Sequence, residues 1–352
     1  MVKEQYMQKS GLMIGHFEPL HLGHIRSILH ASSMVEVLHI VITRHPNPNQ
    51  KFPVTLQDKA RWLQMACSDL PFIKIHTCDD FSFPVHDSIE DITINIDGYN
   101  AKIDYIQDKF NMDEDTVLLV TEGHPLSKPS VTSALNTQVA TTPLHPEFDS
   151  TAIHYNPIAN WDIIHPEARG NYTRTVAIVG GESSGKTTLS HKIANYYGAD
   201  LVLEMGRLYV GTDLGGTEEG LQYSDYGPIA LDHAQAVRET LYQAQSPVTI
   251  VDTDFVTTQA FCEEYEGRAH PFVTACIEEF RFDHTLFLAN NTPWIDDGMR
   301  SLGTPSARDR FESRLTDIFA RHNIQTYRID SPDYFARYEQ AIAYIDQHIF
   351  GK

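Results

Sequence analysis

Residues Gly180-Gly181-Glu182-Ser183-Ser184-Gly185-Lys186-Thr187-Thr188 follow the apolar run Thr175 to Val179 and match the spacing G-x-x-x-x-G-K-[ST]. Glycines at both ends let the backbone curl so that successive N–H groups point at a phosphate. Lys186 then reaches the β and γ oxygens, and Thr187 ligates Mg²⁺. ATP or GTP binding follows. A second constellation, Gly15-His16-Phe17-Glu18-Pro19-Leu20-His21-Leu22-Gly23-His24, succeeds the run Leu12 to Ile14 and fits G-x-F-x-P-x-H-x-G-H. Gly15 permits close approach of phosphate to backbone beside Phe17. At the start of a helix His21 and His24 can donate to ATP phosphates and stabilise departing pyrophosphate. No covalent nucleophile is required, because a substrate phosphate can itself attack the α-phosphorus in line.

Phosphoryl transfer from the first site also needs an acid that holds Mg²⁺ and one that orients or deprotonates the attacking hydroxyl. Asp252 ends the apolar run Val248 to Val251, Asp254 follows two residues later, and Glu204 ends Leu201 to Leu203. Asp252 is a metal candidate together with Thr187, and both Asp252 and Glu204 remain candidates for the general base. Asp252 and Asp254 are also placed to contact an acceptor. Asn290 to Gly303 is polar and turn-rich, with Arg300, Arg308 and Arg310 in or behind it. It is expected to form a lid whose cations, Arg300 and Arg308 in particular, close over ATP.

These residues require strand-to-helix junctions to position them. Leu12 to Ile14, Leu38 to Thr43, Phe72 to Ile75 and Thr116 to Val120 read as buried strands, alternating with helices at Gly23 to Ser33, Thr55 to Ser68 and Ser88 to Phe110. Prolines at 143, 146, 157 and 166 exclude one long helix between Thr141 and Arg174, and a domain boundary is expected near residue 170. A second series then begins with the strand Thr175 to Val179 and the helix Gly185 to Tyr197, followed by strands Val248 to Val251 and Thr285 to Leu288. The expected domains are 1–170 and 171–352.

With 352 residues the chain is long enough for two cores. Its formal charge of −20 repels polyphosphate backbones, so nucleic acid is not an expected partner. Four scattered cysteines and no C-x-x-C pair point to a reducing, cytoplasmic setting rather than a disulfide framework. The polar start, Met1 to Ser10, is unlike a signal sequence, and no long apolar run suggests membrane insertion. A homo-oligomer is compatible with all of this.

The second half resembles the ribosylnicotinamide kinase of the bifunctional NadR family. The likeness lies in Gly180 to Lys186, Gln222-Tyr223-Ser224-Asp225-Tyr226, Asp252 to Cys262 and Asn291 to Gly303. The first half resembles that family's nicotinamide-mononucleotide adenylyltransferase through Gly15 to His24. The resemblance implies two α/β domains with parallel sheets, a Rossmann-like nucleotidyltransferase fold followed by a P-loop kinase fold. It also implies nicotinamide riboside, nicotinamide mononucleotide (NMN) and ATP as small-molecule substrates with Mg²⁺, and an acceptor near Asp252, Asp254 and Tyr223. Arg61 and Trp62 fall in a region that similar proteins use around the nicotinamide nucleotide, and Thr121 to His124 forms another strand-end loop suited to substrate contact.

Three departures from the family pattern stand out. An aromatic residue and Gly-Arg-Asp usually follow the position of Glu204, whereas here stand Met205, Gly206, Arg207 and Leu208. A basic residue usually follows Gly15, where this chain has His16, and the downstream Ile-Arg becomes Ile153-His154. If His154 replaces that arginine at ATP phosphate, an imidazole stands in for a planar, permanently charged fork, and adenylyl transfer is expected to be slow or absent. Relatives that repress transcription carry a helix-turn-helix before this point, for which about ten residues leave no room. Two rival readings are a nucleotide-hydrolysing sensor with an inactive first domain, and a kinase for another nucleoside or a pantothenate-like alcohol.

Overall fold

The computed structural model describes residues 8–83, 95–216, 218–293, 302 and 304–352. Two compact units divide the chain, Met1–Asn171 and Tyr172–Lys352.

In the first unit, strands β1 (Gln8–Gly15), β2 (Val35–Thr43), β3 (Ile73–Cys78), β4 (Val117–Thr121) and β5 (Val139–Thr142) form a parallel sheet in the order β3-β2-β1-β4-β5. Helices α1 (Leu22–Ser32), α2 (Leu56–Ala66) and α3 (Ile96–Lys109) connect successive strands, and the short α4 (Ser150–Tyr155) follows β5. α2 is started by Thr55, which accepts from the Asp58 N–H while Asp58 answers at the Thr55 N–H. The expected helix from Ser88 is seen from Ile96, its earlier residues lying outside those described. Leu12, Val41, Tyr99, Ile103, Ile106 and Leu118 bury one face of the sheet. β5 lacks a continuous apolar run and could not be read from pattern alone. The proline-rich stretch after it folds onto this unit, where Ile164 bridges His21 and the His165 N–H donates to the Leu20 carbonyl at 3.0 Å.

In the second unit, β6 (Arg174–Gly180), β7 (Asp200–Val202), β8 (Val248–Asp252), β9 (His284–Leu288) and β10 (Tyr327–Ile329) form a parallel sheet ordered β10-β9-β6-β8-β7. β8 is buried throughout and β6 from Thr175 onward, because helices cover both faces. Val251, Phe255, Phe287 and Phe311 belong to one core; Ile178, Ile193, Ile250 and Ile345 belong to the other.

In each sheet the first strand stands between neighbours whose connections leave in opposite directions. Its carboxyl end is the switch point where an open parallel sheet leaves a crevice. Gly15 and Gly180 occupy those ends.

Candidate functional site

The second unit assembles its phosphate loop at the end of β6. Gly180 has φ +152°, and a Cβ there would lie 2.8 Å from the Leu288 carbonyl oxygen, so only glycine fits. Ser183 at φ 57° and Gly185 at φ 88° complete the curl. Helix α5 (Lys186–Tyr197) begins directly behind it, directing its free N–H groups into the loop. Lys186 is buried and its Nζ donates to the Gly181 carbonyl at 3.1 Å, while the Ser184 hydroxyl donates to the same oxygen at 2.8 Å. Thr187 donates to Asp252, and the Ser190 hydroxyl lies 3.5 Å from the Asp252 carboxylate. Burial, followed by the nearby charge of Glu204, pushes Asp252 up to about 6. A hydroxyl beside a buried, anion-flanked carboxylate is a donor set suited to a hard divalent cation that completes its shell with phosphate and water.

One supporting residue has no sequence motif. Arg337, 1 % exposed, lies in helix α11 (Tyr334–Ile345), which follows α6 (Met205–Asp213), α7 (Tyr226–Tyr242), α8 (Phe255–Glu266), α9 (Pro271–Glu279) and α10 (Pro305–Arg321). Its guanidinium donates to the carbonyls of Ser184 at 2.6 Å, Ala289 at 2.7 Å and Ser331 at 2.6 Å, and to the Asn291 side chain. It therefore fixes the phosphate loop to the end of β9. The Thr292 hydroxyl adds a bond to the Ser183 carbonyl at 2.9 Å. Arg308 donates to the Thr292 carbonyl at 3.0 Å, and its Nε and Nη2 are buried without partners among the described residues. Two such donors next to the loop are suited chemically to an anion. Arg310 instead pairs with Glu264. Arg300 lies outside the described residues.

Beside the loop opens a cleft of about 1080 Å³ whose walls include Lys186, Glu204, Arg207, Tyr226, His233 and Phe261. Its aromatic and aliphatic walls with a few polar groups suit a small organic acceptor. Glu204 enters it from the start of α6, 3.7 Å from the Arg207 guanidinium. Asp252 does not line the cleft. The structure thus separates two carboxylates that sequence left equivalent: Glu204 faces the cleft, while Asp252 faces Thr187.

In the first unit His21 starts α1 as its N-cap. Its Nδ1 accepts from the N–H groups of Gly23 at 3.1 Å and His24 at 3.4 Å, and its Nε2 lies 2.8 Å from the Ser150 hydroxyl. His24 stacks on it with centroids 3.6 Å apart. Burial depresses both imidazoles, His21 to about 4, and also lowers His16 and His124. Gly15, His16, Phe17, His24, Thr121 and His124 line a cleft of about 1500 Å³. Among the described residues no Lys or Arg lines it.

The family models that match are Cytidylyltransferase-like over residues 12–124 and AAA domain over residues 175–337. The trifunctional NAD biosynthesis/regulator protein NadR of Escherichia coli (strain K12) is 36 % identical over 343 residues, covering 94 % of this chain and 81 % of that protein. The protein of the same name from Salmonella typhimurium (strain LT2) is 36 % identical over 350 residues, covering 96 % and 82 %. This chain belongs to the NadR family. Two solved structures share its fold: a NadR protein in complex with NR, with TM-score 0.75 and 21 % identity, and a NadR protein in complex with NAD and AMP-PNP, with TM-score 0.73 and 20 % identity. Each match covers 98 % of this chain and 97 % of the other. Two parallel-sheet units, a nucleotidyltransferase-like one and a P-loop one, are the architecture of that family.

Within this NadR fold several expected site residues make contacts to backbone or core. His154 is 3 % exposed; its Nδ1 faces the Glu18 carbonyl at 2.8 Å and its Nε2 the Asn47 carbonyl at 3.0 Å, with His45 stacked 4.0 Å away. Both nitrogens are engaged by backbone, which leaves none to meet ATP phosphate. Trp62 is 2 % exposed and its Nε1 donates to Asn171 at 3.1 Å, because the apolar face of α2 packs inward. Arg61 points outward, and neither lines the cleft. Asp254 caps α8, accepting from the Thr257 N–H at 2.8 Å and hydroxyl at 2.9 Å. Tyr223 is turned from the acceptor cleft; its hydroxyl donates to the Ala269 carbonyl at 3.1 Å, and Tyr226 lines the cleft instead.

A further polar centre escaped sequence reasoning. Glu18, inside the histidine motif, forms a buried ion pair with Lys59 at 3.0 Å, and Lys59 also donates to the Thr43 carbonyl at 3.3 Å. The Asn49 N–H donates to Glu18 at 3.3 Å, and the Asn49 side chain donates to the His154 carbonyl at 2.6 Å. An acid three residues before a helix cap reads as surface by default, so only the fold reveals this pair.

Proposed function

We propose that the second unit transfers the γ-phosphoryl group of ATP to the 5′-hydroxyl of nicotinamide riboside, and that the first unit joins the resulting NMN to the AMP moiety of ATP, releasing pyrophosphate and forming NAD. The observation that carries the reading is the phosphate loop with Lys186, Thr187 and Asp252 gathered behind it and an acceptor cleft alongside, in a chain of the NadR family. Loop amides, Lys186 and Arg308 hold the triphosphate, and Arg337 keeps the loop in shape. Thr187 and Asp252 would hold Mg²⁺, which offsets the charge of the β and γ oxygens. Glu204, on the cleft wall, orients the attacking hydroxyl and takes its proton as the new P–O bond forms.

Adenylation in the first unit rests on Gly15, Phe17 and His24, with His21 holding His24 in place. Its imidazoles are held neutral by burial, and no guanidinium or ammonium among the described residues faces the cleft. Stabilisation of departing pyrophosphate is therefore weak, and adenylyl transfer is much slower than phosphoryl transfer. Four free buried cysteines support a reducing, cytoplasmic setting, and among the described residues no helix is long and apolar enough to cross a membrane.

Incubation with nicotinamide riboside, ATP and Mg²⁺, followed by chromatography, tests both steps. NMN should accumulate first and NAD slowly, with K186A abolishing the first step and H24A the second. ATP hydrolysis without NMN would refute the kinase assignment in favour of a nucleotide-hydrolysing sensor.

A further inference from the structure

Buried polar atoms without partners are few in a folded protein, and each calls for a reason. Among the described residues four such side-chain atoms, Glu182 Oε1, Tyr226 Oη, His233 Nε2 and Thr253 Oγ1, belong to residues lining one cleft beside the phosphate loop. Tyr226, His233 and Thr253 are 1 %, 3 % and 5 % exposed. Tyr226 and His233 stand on one face of α7, seven residues and nearly two turns apart, with Ile229 of the same cleft wall between them. The His233 ring is set edge-on against Phe255 at 4.9 Å between centroids. Carbonyls of Thr253 and Leu203 lie near that ring, yet Nε2 forms no hydrogen bond of normal geometry.

Thr253 adds an independent sign. It is a β-branched residue held at φ 73°, a region such residues rarely enter, between the buried Asp252 and the helix cap Asp254. Backbone strain of this kind persists where the surrounding structure imposes it, and it clusters at functional sites. The glycine that would relieve it would also remove the hydroxyl from the cleft.

We propose that Tyr226, His233 and Thr253 are the specificity-determining set of the kinase unit, supplying the hydrogen bonds that read hydroxyl and amide groups of a nucleoside acceptor. The inference rests on the kinase reading above and deepens it. Unpaired polar groups buried in the wall of a cleft reject any acceptor that cannot pair them, because each stays desolvated without compensation. Such a cleft prefers a ribose-bearing acceptor to an alcohol of similar size. Glu204 and Glu218 on the same walls add a negative field suited to a cationic base.

Y226F and T253V delete one hydroxyl each at constant shape, and they separate ligand reading from fold support. Each should raise the acceptor KM by about tenfold, as expected for one lost hydrogen bond, against a change of less than twofold in the KM for ATP. Each should also leave the melting temperature of the ligand-free protein unchanged or higher, because an unpaired buried hydroxyl contributes nothing to folding. His233→Gln should keep more acceptor affinity than His233→Leu, since only the amide can pair the acceptor. Variants that keep the wild-type acceptor KM, or that melt lower without ligand, would overturn the proposal. Running wild type on a panel of nucleosides keeps the two readings apart. If another nucleoside replaces nicotinamide riboside and the variants lose affinity for it, the acceptor assignment fails and this inference stands. Wild-type protein that phosphorylates none of the panel overturns both.

Discussion

Arg337→Met should be among the most damaging single changes outside the nucleotide-contacting residues. The guanidinium is almost fully enclosed and donates to three backbone carbonyls and one side chain, two of those carbonyls being on the phosphate loop and at the end of β9. Hydrogen bonds from a charged donor contribute roughly 1.5 to 3 kcal/mol each, so the gross loss of four is on the order of 6 to 12 kcal/mol. Burial opposes this by disfavouring the charge, the same effect that lowers the Arg337 pKa, and methionine recovers part of the packing. A net loss of about 3 to 5 kcal/mol remains. Arg337→Lys should recover about a third, since a compact ammonium lacks the fork that spans Ser184, Ala289 and Ser331 together. Urea unfolding of wild type and both variants measures the loss, and steady-state kinetics should show the KM for ATP rising about tenfold in the lysine variant as Ser184 moves. If Arg337→Met unfolds within about 1 kcal/mol of wild type, the hydrogen bonds do not buttress the loop and the reasoning fails.

In the first unit, Lys59→Met leaves the Glu18 carboxylate buried without its cation and should cost about 3 to 5 kcal/mol, whereas the Glu18→Gln, Lys59→Met double variant should be milder than the single lysine change. A double-mutant cycle by chemical denaturation reads the coupling. His154→Ala should cost about 1 to 3 kcal/mol by orphaning the Glu18 and Asn47 carbonyls while leaving ATP affinity in calorimetry nearly unchanged; the reverse pattern would restore His154 as a phosphate ligand. The first unit should also lose stability on acidification. Burial holds His21 and His45 at about 4 and lowers His16, His24 and His124, so the unfolded chain binds protons more readily below about 6.5. The stability they confer is complete above 6.5 and is lost as pH falls through 4. Hydrogen exchange in β1 and β2 peptides, corrected for intrinsic rate, should show protection falling across that window.

The two phosphate-gripping turns were legible in the chain because each is local. A strand, a turn of fixed length and a helix start place Gly15 to His24 and Gly180 to Thr188 wherever the sheet lies, so spacing alone carries their geometry. Buried parallel strands announced themselves for the same reason: β6 and β8 are apolar on both faces. Short edge strands such as β5 and β10 carried no such pattern, since a few residues at a margin need little apolar surface.

Side chains whose role depends on partners far along the chain could be decided only by the folded molecule. Trp62, His154, Tyr223 and Asp254 had residue types suited to ligands, yet packing turned each toward backbone or core. Conversely, Arg337 carries no motif and reaches Ser184, 153 residues away in sequence, while Tyr226, His233 and Thr253 meet in one cleft because α7 and the end of β8 converge there. Composition determines that such groups must be paired or pay desolvation; which atoms pair them depends on strand order and helix orientation, and those are properties of tertiary packing.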